Sequence, residues 1–172
     1  MKSKYAALVE RVREKKPLVH HITNYVTVND CANITLAIGA SPIMADASEE
    51  AADIAATASA LVLNLGTLNE RTIPSMLAAG RAANKAGVPV VLDPVGAGAS
   101  KLRNETAARI LNEVKISVLR GNISEIRFLA GLKSAAKGVD ASEDDLQGSA
   151  DASAGAIAKT LAARYHCVTA IT

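Results

Sequence analysis

A carboxylate and two glycines directly follow an apolar run in the segment VVLDPVGAGAS, residues 90–100. A carboxylate at the end of a strand can hold Mg²⁺, and the backbone N–H groups of a glycine-rich loop can bind an anion. The segment lacks the Gly-Lys-Ser/Thr of a Walker loop, and Lys101 stands where a dinucleotide fingerprint has its third glycine. Asp93, Gly96 and Gly98 are therefore candidates for an ion or phosphate site. The alternative is an ordinary turn capped by Asp93.

The next apolar run is followed by a cation and a second carboxylate. In VLRGNISEI, residues 118–126, Arg120 precedes Asn122 and Glu125. An asparagine followed three positions later by a glutamate is typical of a helix-capping box, which would by itself account for both residues. Two carboxylates at neighbouring strand ends with an arginine beside them also suit Mg²⁺ and a nucleoside triphosphate. We therefore predict that Asp93 and Glu125 hold the metal, with Arg120 at the phosphates.

Four residues near the ends of other apolar runs are candidates for contact with a small substrate. Asn24 in VHHITNYV could orient a polar group of the substrate, or it could cap the next helix. Met44 in SPIMA could line an apolar pocket, although methionine more often fills a core. Gly66 and Thr67 follow the run ALVLNL and could approach a ligand through the backbone, with an ordinary loop as the alternative.

The histidines do not form a zinc-binding pattern. His20 and His21 are adjacent, so their side chains point to opposite faces if the segment is extended. The third histidine in the sequence is the distant His166. A zinc site needs several converging His, Cys or acidic ligands, and no zinc is predicted.

Six apolar runs are predicted as the β-strands that carry the candidate residues. The four strong runs cover residues 60–66, 88–94, 115–122 and 166–172, and two weaker runs cover 17–22 and 41–45. Three of the strong runs are apolar throughout, which is typical of strands buried on both faces. Helical patterns lie between the strands, at residues 3–16 with Ser3 as N-cap, 28–40, 48–58, 69–87, 104–114, 124–131 and 150–165.

The alternation of strands and helices predicts an α/β fold with a mostly parallel central sheet and helices on both faces. Sheets of this class bind ligands beyond the carboxyl ends of their strands, which is where Asp93 and Arg120 are expected. The sequence has no clear second domain boundary, so residues 1–172 are predicted to form a single domain. The Gly-, Ser- and acid-rich segment 133–151 is expected to be an exposed loop or flap.

Composition excludes several classes of function. Hydrophobic residues make up 49% and charged residues 21% of the sequence, which excludes disorder of the chain as a whole. The 2% of aromatic residues argues against a platform for single-stranded nucleic acid, and the net charge of +2 is too small to imply a polyanionic partner. No apolar run approaches the roughly 20 residues of a membrane span. Cys31 and Cys167 do not make a disulfide framework, so a cytoplasmic protein is expected.

Five segments together closely resemble the hydroxyethylthiazole kinase family: HHITNYVTVNDCAN, SPIMADASEEAADI, ALVLNLGTL, VPVVLDPVGAGAS and LRGNISEI. The resemblance runs in order from about Val19 to the end of the chain, and it implies a ribokinase-like fold and an enzyme of thiamine salvage. It implies transfer of a phosphoryl group from ATP, with Mg²⁺, to the hydroxyl of 4-methyl-5-(2-hydroxyethyl)thiazole. It also implies a homotrimer whose thiazole sites lie between subunits, with Met44 and Asn24 in the substrate pocket.

On the nucleotide side, the resemblance places Arg120 and Thr172 at ATP-binding positions. Asn122 with Glu125 forms the N-x-x-E pattern of ribokinase-like enzymes, and Asn122 is accordingly assigned to the ATP site. Asp93 and Glu125 correspond to the acids near the metal and the phosphates.

Family members continue well beyond the position of Thr172, into a Gly-rich turn that supplies the anion hole and the residue beside the attacking hydroxyl. The catalytic residue is therefore expected beyond Thr172, and the chain is interpreted as the N-terminal two thirds of a longer kinase domain. Two alternatives stay open. One is another ribokinase-like kinase of a small alcohol, and the other is a non-catalytic ligand-binding or oligomer-forming subunit.

Overall fold

The computed structural model describes residues 4–132 and 153–172, where seven helices and six strands alternate. The helices are α1 Lys4–Lys15, α2 Val28–Ala37, α3 Ala51–Thr57, α4 Thr72–Ala86, α5 Lys101–Glu113, α6 Ile123–Leu129 and α7 Ala154–Tyr165. The strands are β1 Leu18–Ile22, β2 Ser41–Ile43, β3 Ala60–Asn64, β4 Val90–Asp93, β5 Val118–Gly121 and β6 Val168–Ile171. Ser3 and the predicted loop 133–151 lie outside the described residues.

The six strands form one sheet in the order β2-β1-β3-β4-β5-β6, and every neighbouring pair is parallel. The predicted α/β class and the parallel sheet are thus confirmed, and all six predicted strands are present. Because all the strands run the same way, their carboxyl ends share one edge of the sheet.

Helices cover both faces of the sheet, but unequally. Inward side chains of the central strands are fully buried in the core, namely Leu61, Leu63, Val90, Leu92 and Leu119. The alternate side chains on the opposite face are only half-buried or exposed, namely Val62, Asn64, Val91, Asp93, Val118 and Arg120. The expectation that the strong strands are buried on both faces is therefore wrong for the described part of the chain.

The direction of the connections explains which helix covers which face. Right-handed crossovers that move across the sheet in opposite directions put their helices on opposite faces. The connection from β1 to β2 runs one way, and those from β2 to β6 run the other way. Accordingly, α2 lies against the half-buried face, where Thr35 contacts His21 through a hydrogen bond of 3.3 Å. The helices from α3 onward cover the other face.

The core consists of small aliphatic side chains, as the scarcity of aromatic residues predicts. Alanines fill the contact between α3 and α4, with Ala51, Ala55, Ala79 and Ala83 fully buried. Small side chains allow the helices to approach closely and to pack tightly on the sheet. Among the helices of the described ranges, none has the length and apolar character that crossing a membrane requires.

Local signals account for most helix ends. Gly87 ends α4 in the left-handed conformation at φ 74°, as predicted. Helix α5 begins at Lys101, three residues earlier than predicted, because the Ser100 hydroxyl accepts a hydrogen bond from the backbone N–H of Arg103. Helix α3 begins at Ala51, whereas the acidic pattern predicted a start at residue 48.

Candidate functional site

Three polar side chains form a row across the carboxyl ends of neighbouring strands. Asn64 at the end of β3 is paired in register with Asp93 at the end of β4. The Asn64 amide donates a hydrogen bond of 3.0 Å to Oδ2 of Asp93, and the Arg120 guanidinium on β5 donates another of 3.0 Å to the same oxygen. Asp93 and Arg120 therefore meet at the sheet edge where the sequence places them.

The two oxygens of the Asp93 carboxylate have different hydrogen-bond partners. Its side chain is 15% exposed, and burial raises its pKa although Arg120 and Asn64 act in the opposite direction. Oδ2 accepts both hydrogen bonds, whereas Oδ1 is buried and has no hydrogen-bond partner among the described residues. A buried carboxylate oxygen without a partner is destabilising unless something positive contacts it. Oδ1 of Asp93 is thus a candidate acceptor for a cation.

Glu125 connects two loops at the same edge. Its Oε1 accepts the N–H of Gly96 at 2.8 Å, and its Oε2 accepts the N–H of Asn122 at 2.8 Å. Asn122 in turn accepts the N–H of Glu125 at 2.9 Å, which completes the predicted capping box of α6. Burial raises the pKa of Glu125, the two backbone N–H groups lower it, and the nearby charge of Asp93 raises it further.

The glycine loop after β4 uses its backbone N–H groups within the protein. Gly96 donates to Glu125, and Gly98 donates to Oδ1 of Asn104 at 2.7 Å. The intervening Ala97 and the following Ala99 donate to backbone carbonyls of the same loop. The interpretation of this loop as an anion cradle is therefore not supported, because its donors already have acceptors. The loop instead brings β4 and β5 together through Glu125.

The donor set at this edge fits Mg²⁺. No cluster of three or more His, Cys or acidic side chains is present within residues 4–132 and 153–172. Mg²⁺ does not require such a cluster, because it commonly takes one or two carboxylates and fills its remaining positions with water and substrate phosphates. Oδ1 of Asp93 has no hydrogen-bond partner among the described residues. Each oxygen of Glu125 retains one lone pair beyond its backbone hydrogen bond.

A cavity of about 230 Å³ opens between the loop after β1, the end of β2 and the loop after β3. Met44 and Thr67 line it, together with His21 and Tyr25. Thr67 and Gly66 also line an adjoining opening of about 310 Å³. Of the four substrate candidates, Met44, Gly66 and Thr67 therefore face open space.

Asn24 lies behind the cavity rather than in its lining. Its neighbours Thr23 and Tyr25 line the cavity. Its side-chain amide donates to Oδ1 of Asn64 at 3.0 Å, and its Oδ1 accepts from the backbone N–H and the hydroxyl of Thr27 at 3.0 and 3.1 Å. Asn24 therefore contacts Thr27 at the start of α2, and its contact with a substrate stays a prediction.

Thr172 lies next to the end of β5. Its backbone N–H donates to the carbonyl of Gly121 at 3.1 Å, which extends the pairing of β6 with β5. Arg120 and Asn122 flank Gly121 in the sequence, so the three residues assigned to the nucleotide share one region of the sheet edge.

Two residues of the site were missed in the sequence. Asn64 ends an otherwise apolar strand, and that interruption was a usable signal. Arg103 donates to the backbone carbonyls of Leu65, Gly66 and Val95, and so joins the loops after β3 and β4. In the sequence Arg103 is one of several charged residues on an amphipathic helix, and nothing local indicates this contact.

Comparisons with known proteins match the chain to one family. Residues 9–172 match the model of the hydroxyethylthiazole kinase family. The chain is 64% identical to the hydroxyethylthiazole kinase of Clostridium beijerinckii, over 98% of this chain and 61% of that protein. It is 62% identical to that of Ruminiclostridium cellulolyticum, over 96% of this chain and 59% of that protein.

A solved structure agrees with these sequence matches. The hydroxyethylthiazole kinase protein of Pyrococcus horikoshii OT3 superposes with a TM-score of 0.82 at 40% sequence identity, over 96% of this chain and 59% of that chain. The chain thus spans about three fifths of the length of the relatives that it matches. With the family model covering nearly all of its residues, the chain belongs to the hydroxyethylthiazole kinase family.

Proposed function

We propose that the protein takes part in thiamine salvage by transferring the γ-phosphoryl group of ATP to the hydroxyl of 4-methyl-5-(2-hydroxyethyl)thiazole. The observation that carries the proposal is the pair of Asp93 and Arg120, at the same sheet edge as the cavity lined by Met44. Membership of the hydroxyethylthiazole kinase family supports the assignment of the two co-substrates to these two regions.

In the proposed complex, Asp93 and Glu125 would hold Mg²⁺. Bound Mg²⁺ supplies charge neutralisation for the nucleotide phosphates. Arg120 is half-exposed and can turn from Asp93 toward phosphate oxygens, for which a guanidinium is well suited. Asn122 and Thr172 border the same region and complete the proposed nucleotide site.

On the substrate side, the thiazole ring is proposed to contact the Met44 side chain. A thioether packs favourably against an aromatic ring, which suits Met44 to this role. Thr67 also lines this cavity, Gly66 lines the adjoining opening, and Asn24 supports the loop that carries Thr23 and Tyr25. In this proposal the hydroxyethyl group faces the end of β4.

Phosphoryl transfer requires little covalent chemistry from the protein. The substrate oxygen forms a bond to the γ-phosphorus, the bond from that phosphorus to the β,γ-bridging oxygen breaks, and ADP leaves while the hydroxyl proton is released. Positioning and charge neutralisation account for most of the rate enhancement in such reactions. The residue beside the attacking hydroxyl is proposed to lie beyond Thr172.

A homotrimer located in the cytoplasm is part of the proposal. Apolar side chains beside the cavity are exposed in the single chain, including Tyr25 at 76%, Val26 at 74% and Ile34 at 62%. In the proposal these exposed apolar side chains form part of the subunit contact. Sedimentation analysis of the purified protein should give three times the mass of one chain, and a monomer at high concentration would contradict this part.

The reaction is tested with a chain that continues beyond Thr172, which is incubated with ATP, Mg²⁺ and 4-methyl-5-(2-hydroxyethyl)thiazole while the phosphate ester is followed by ³¹P NMR. Parallel reactions contain a pyrimidine methanol, a pyridoxal-type alcohol or a sugar. We expect phosphate on the thiazole alcohol in preference to the others. Preferential phosphorylation of another alcohol would identify a different small-alcohol kinase, and thiazole binding without ATP consumption would identify a non-catalytic subunit.

The substrate assignment is tested separately with the variant Met44→Ala. Because Met44 is placed at the ring rather than at the phosphates, its truncation should raise KM for the alcohol roughly tenfold while kcat changes little, as expected for the loss of one apolar contact. An unchanged KM would remove Met44 from the substrate site.

A further inference from the structure

Asn64 is the meeting point of three segments at the sheet edge. Its Nδ2 donates to Oδ2 of Asp93 at 3.0 Å. Its Oδ1 accepts from the amide of Asn24 at 3.0 Å and from the backbone N–H of Gly66 at 2.9 Å. One half-buried carboxamide thus contacts the end of β4, the loop after β1 and the loop after β3.

Asp93 and two backbone N–H groups require the same direction for these hydrogen bonds. An ionised carboxylate only accepts hydrogen bonds, so Asn64 must turn its NH₂ group toward Asp93 and its oxygen away. That oxygen accepts from the backbone N–H of Gly66 and from the NH₂ group of Asn24. The Oδ1 of Asn24 accepts from Thr27. The charge of Asp93 is thus linked through two successive amides to the loops after β1 and β3.

Both loops that form the cavity are attached to this chain of hydrogen bonds. Asn24 lies between Thr23 and Tyr25, which line the cavity. Gly66 precedes Thr67, whose hydroxyl accepts the backbone N–H of Tyr25 at 3.2 Å. If Asn64 lost this orientation, the loops after β1 and β3 would lose the hydrogen bonds that hold them together at the cavity.

We propose that Asn64 is a positioning residue, which transmits the hydrogen-bond polarity of Asp93 to the two loops of the cavity and so sets the affinity for the substrate alcohol. The inference rests on the proposed function in one respect, since the cavity is taken to be the thiazole site. It assigns no chemistry to Asn64, which acts through Asn24 and Gly66.

The test exchanges the amide and the carboxylate. In the variant Asn64→Asp, two carboxylates face each other and the donor to Asp93 is lost, so their repulsion should move the side chain at position 64 away from Asn24 and Gly66. In the double variant Asn64→Asp with Asp93→Asn, the carboxylate at position 64 accepts from Asn24, from Gly66 and from the new amide at position 93. The exchange therefore removes the repulsion and keeps the acceptor for Asn24 and Gly66, while it reverses the hydrogen bond between positions 64 and 93 and moves the charge by one strand.

Binding of 4-methyl-5-(2-hydroxyethyl)thiazole is measured by calorimetry without nucleotide. We expect Asn64→Asp to weaken binding about tenfold, the scale of one lost buried hydrogen bond. The exchange variant should recover affinity for the alcohol to within about threefold of the wild type. Its Mg²⁺-dependent binding of ADP should be weaker than that of the wild type, because position 93 has lost its charge. Failure of the exchange variant to recover alcohol affinity, with its fold intact, would overturn the positioning role.

The matched control is Asn84→Asp. Asn84 likewise bridges backbone groups, since it accepts the N–H of Lys115 at 2.6 Å and donates to the carbonyl of Lys115 at 2.9 Å. It lies on α4 away from the cavity. This variant should lose stability but bind the alcohol as the wild type does. A comparable loss of alcohol affinity in Asn84→Asp would show that the effect is general destabilisation, and would overturn the proposal.

Amide hydrogen exchange separates this inference from the proposed function. In the wild type the N–H groups of Thr27 and Gly66 should be protected, with protection lost in Asn64→Asp and regained in the exchange variant. If the wild type does not bind the thiazole alcohol, the proposed function fails while this measurement still decides whether Asn64 organises the two loops. Unchanged protection in Asn64→Asp would refute it.

Discussion

Gly66 illustrates how closely the polar groups of the cavity approach one another. A Cβ atom at this position would lie 2.7 Å from Cβ of Asn24 and 2.9 Å from Oδ1 of Asn64. Neither contact is sterically allowed, so Gly66→Ala must displace the Asn24–Asn64 pair. We expect the free energy of unfolding to fall by about 1–3 kcal/mol, the range for overpacking, as measured by urea denaturation. Alcohol affinity should fall with it.

The control for this substitution is Gly155→Ala in the first turn of α7. The nearest atom to a Cβ there is the Ser153 hydroxyl oxygen at 4.0 Å. The change should leave stability unchanged or raise it by up to about 1 kcal/mol, because alanine favours a helix more than glycine does. If both variants had the same stability as the wild type, the close approach at Gly66 would be contradicted.

Arg103 should be important for stability although it is remote from any charge partner in the site. Its guanidinium donates to three backbone carbonyls, those of Leu65, Gly66 and Val95. In Arg103→Met these acceptors lose their donors while the aliphatic part of the side chain is kept, and we expect a loss of about 2–3 kcal/mol in urea denaturation. Arg109→Met, which removes an exposed pair with Glu113 at 3.5 Å, should cost less than about 1 kcal/mol. Equal losses would contradict the assignment.

Residue roles were predictable where they depend on local sequence. Asn122 and Glu125 are three positions apart, so the capping box follows from the sequence alone. The roles of Asn64 and Arg103 depend on strand register and on how two loops meet, neither of which is encoded in a short segment. The same limit applies to Glu125, whose hydrogen bond to Gly96 spans two strands and was not foreseen.

At the scale of elements, strand β1 carries two buried histidines on its two faces. His20 is fully buried and its Nε2 contacts the carbonyl of Ala45 at 2.7 Å, while His21 contacts Thr35 of α2. Burial lowers the pKa of both rings. The Ala45 carbonyl and Glu50 act in the opposite direction on His20, and the charge of His20 lowers the pKa of His21 further. The strand is therefore stable with both rings neutral.

This lowered pKa predicts a loss of stability in acid. The unfolded chain binds a proton at about pH 6.5, and the folded chain does so only at lower pH, so the stabilisation is complete above that value and falls as the pH decreases through it. In His20→Gln, the side-chain amide keeps a donor to Ala45 but does not titrate. Between about pH 7.5 and 5.5 this variant should lose less stability than the wild type in urea denaturation.

The third histidine provides the control for that experiment. His166 is exposed at the end of α7, in the left-handed conformation that asparagine tolerates. If His166→Asn changed the pH dependence as much as His20→Gln does, the effect would not be specific to the buried ring. Asp93 and Glu125 act with the opposite sign, because their raised pKa values make the fold more stable as the pH falls toward the ordinary carboxyl range. The wild type, His20→Gln and His166→Asn all retain Asp93 and Glu125, so the contribution of these two residues to the pH dependence cancels in the comparison.

The elements themselves were largely predictable from hydrophobic pattern. All six strands and the described helices occur where apolar runs and capping residues place them, and the ends differ by a few residues. Burial on both faces was predicted wrongly, because Val62, Val91 and Val118 have the same side-chain type as core valines yet lie on the half-buried face. Side-chain type alone does not distinguish these two environments.

At the scale of the whole molecule, the candidate site lies on the less covered face of the sheet. Asn64, Asp93 and Arg120 are all on that face, whereas the leucines of the same strands fill the core under α3, α4 and α5. One side of each central strand thus provides stability and the other side provides the polar groups. A change on the polar face is therefore expected to affect ligand binding more than folding.

Ligand-linked stability tests this division. A ligand that binds only the folded state at 100 times its Kd adds about 2.7 kcal/mol. At about 2–4 °C per kcal/mol for a domain of 150–250 residues, this raises Tm by roughly 5–11 °C. We expect Mg²⁺ with ADP to produce such a shift, and chelation of the metal with EDTA to abolish most of it. Asp93→Asn should lose the metal-dependent part, whereas Glu113→Gln, which alters a surface pair with Arg81, should retain it. A metal-dependent shift in Tm that persists in Asp93→Asn would show that the cation binds elsewhere. Asp93 would then not be a metal ligand.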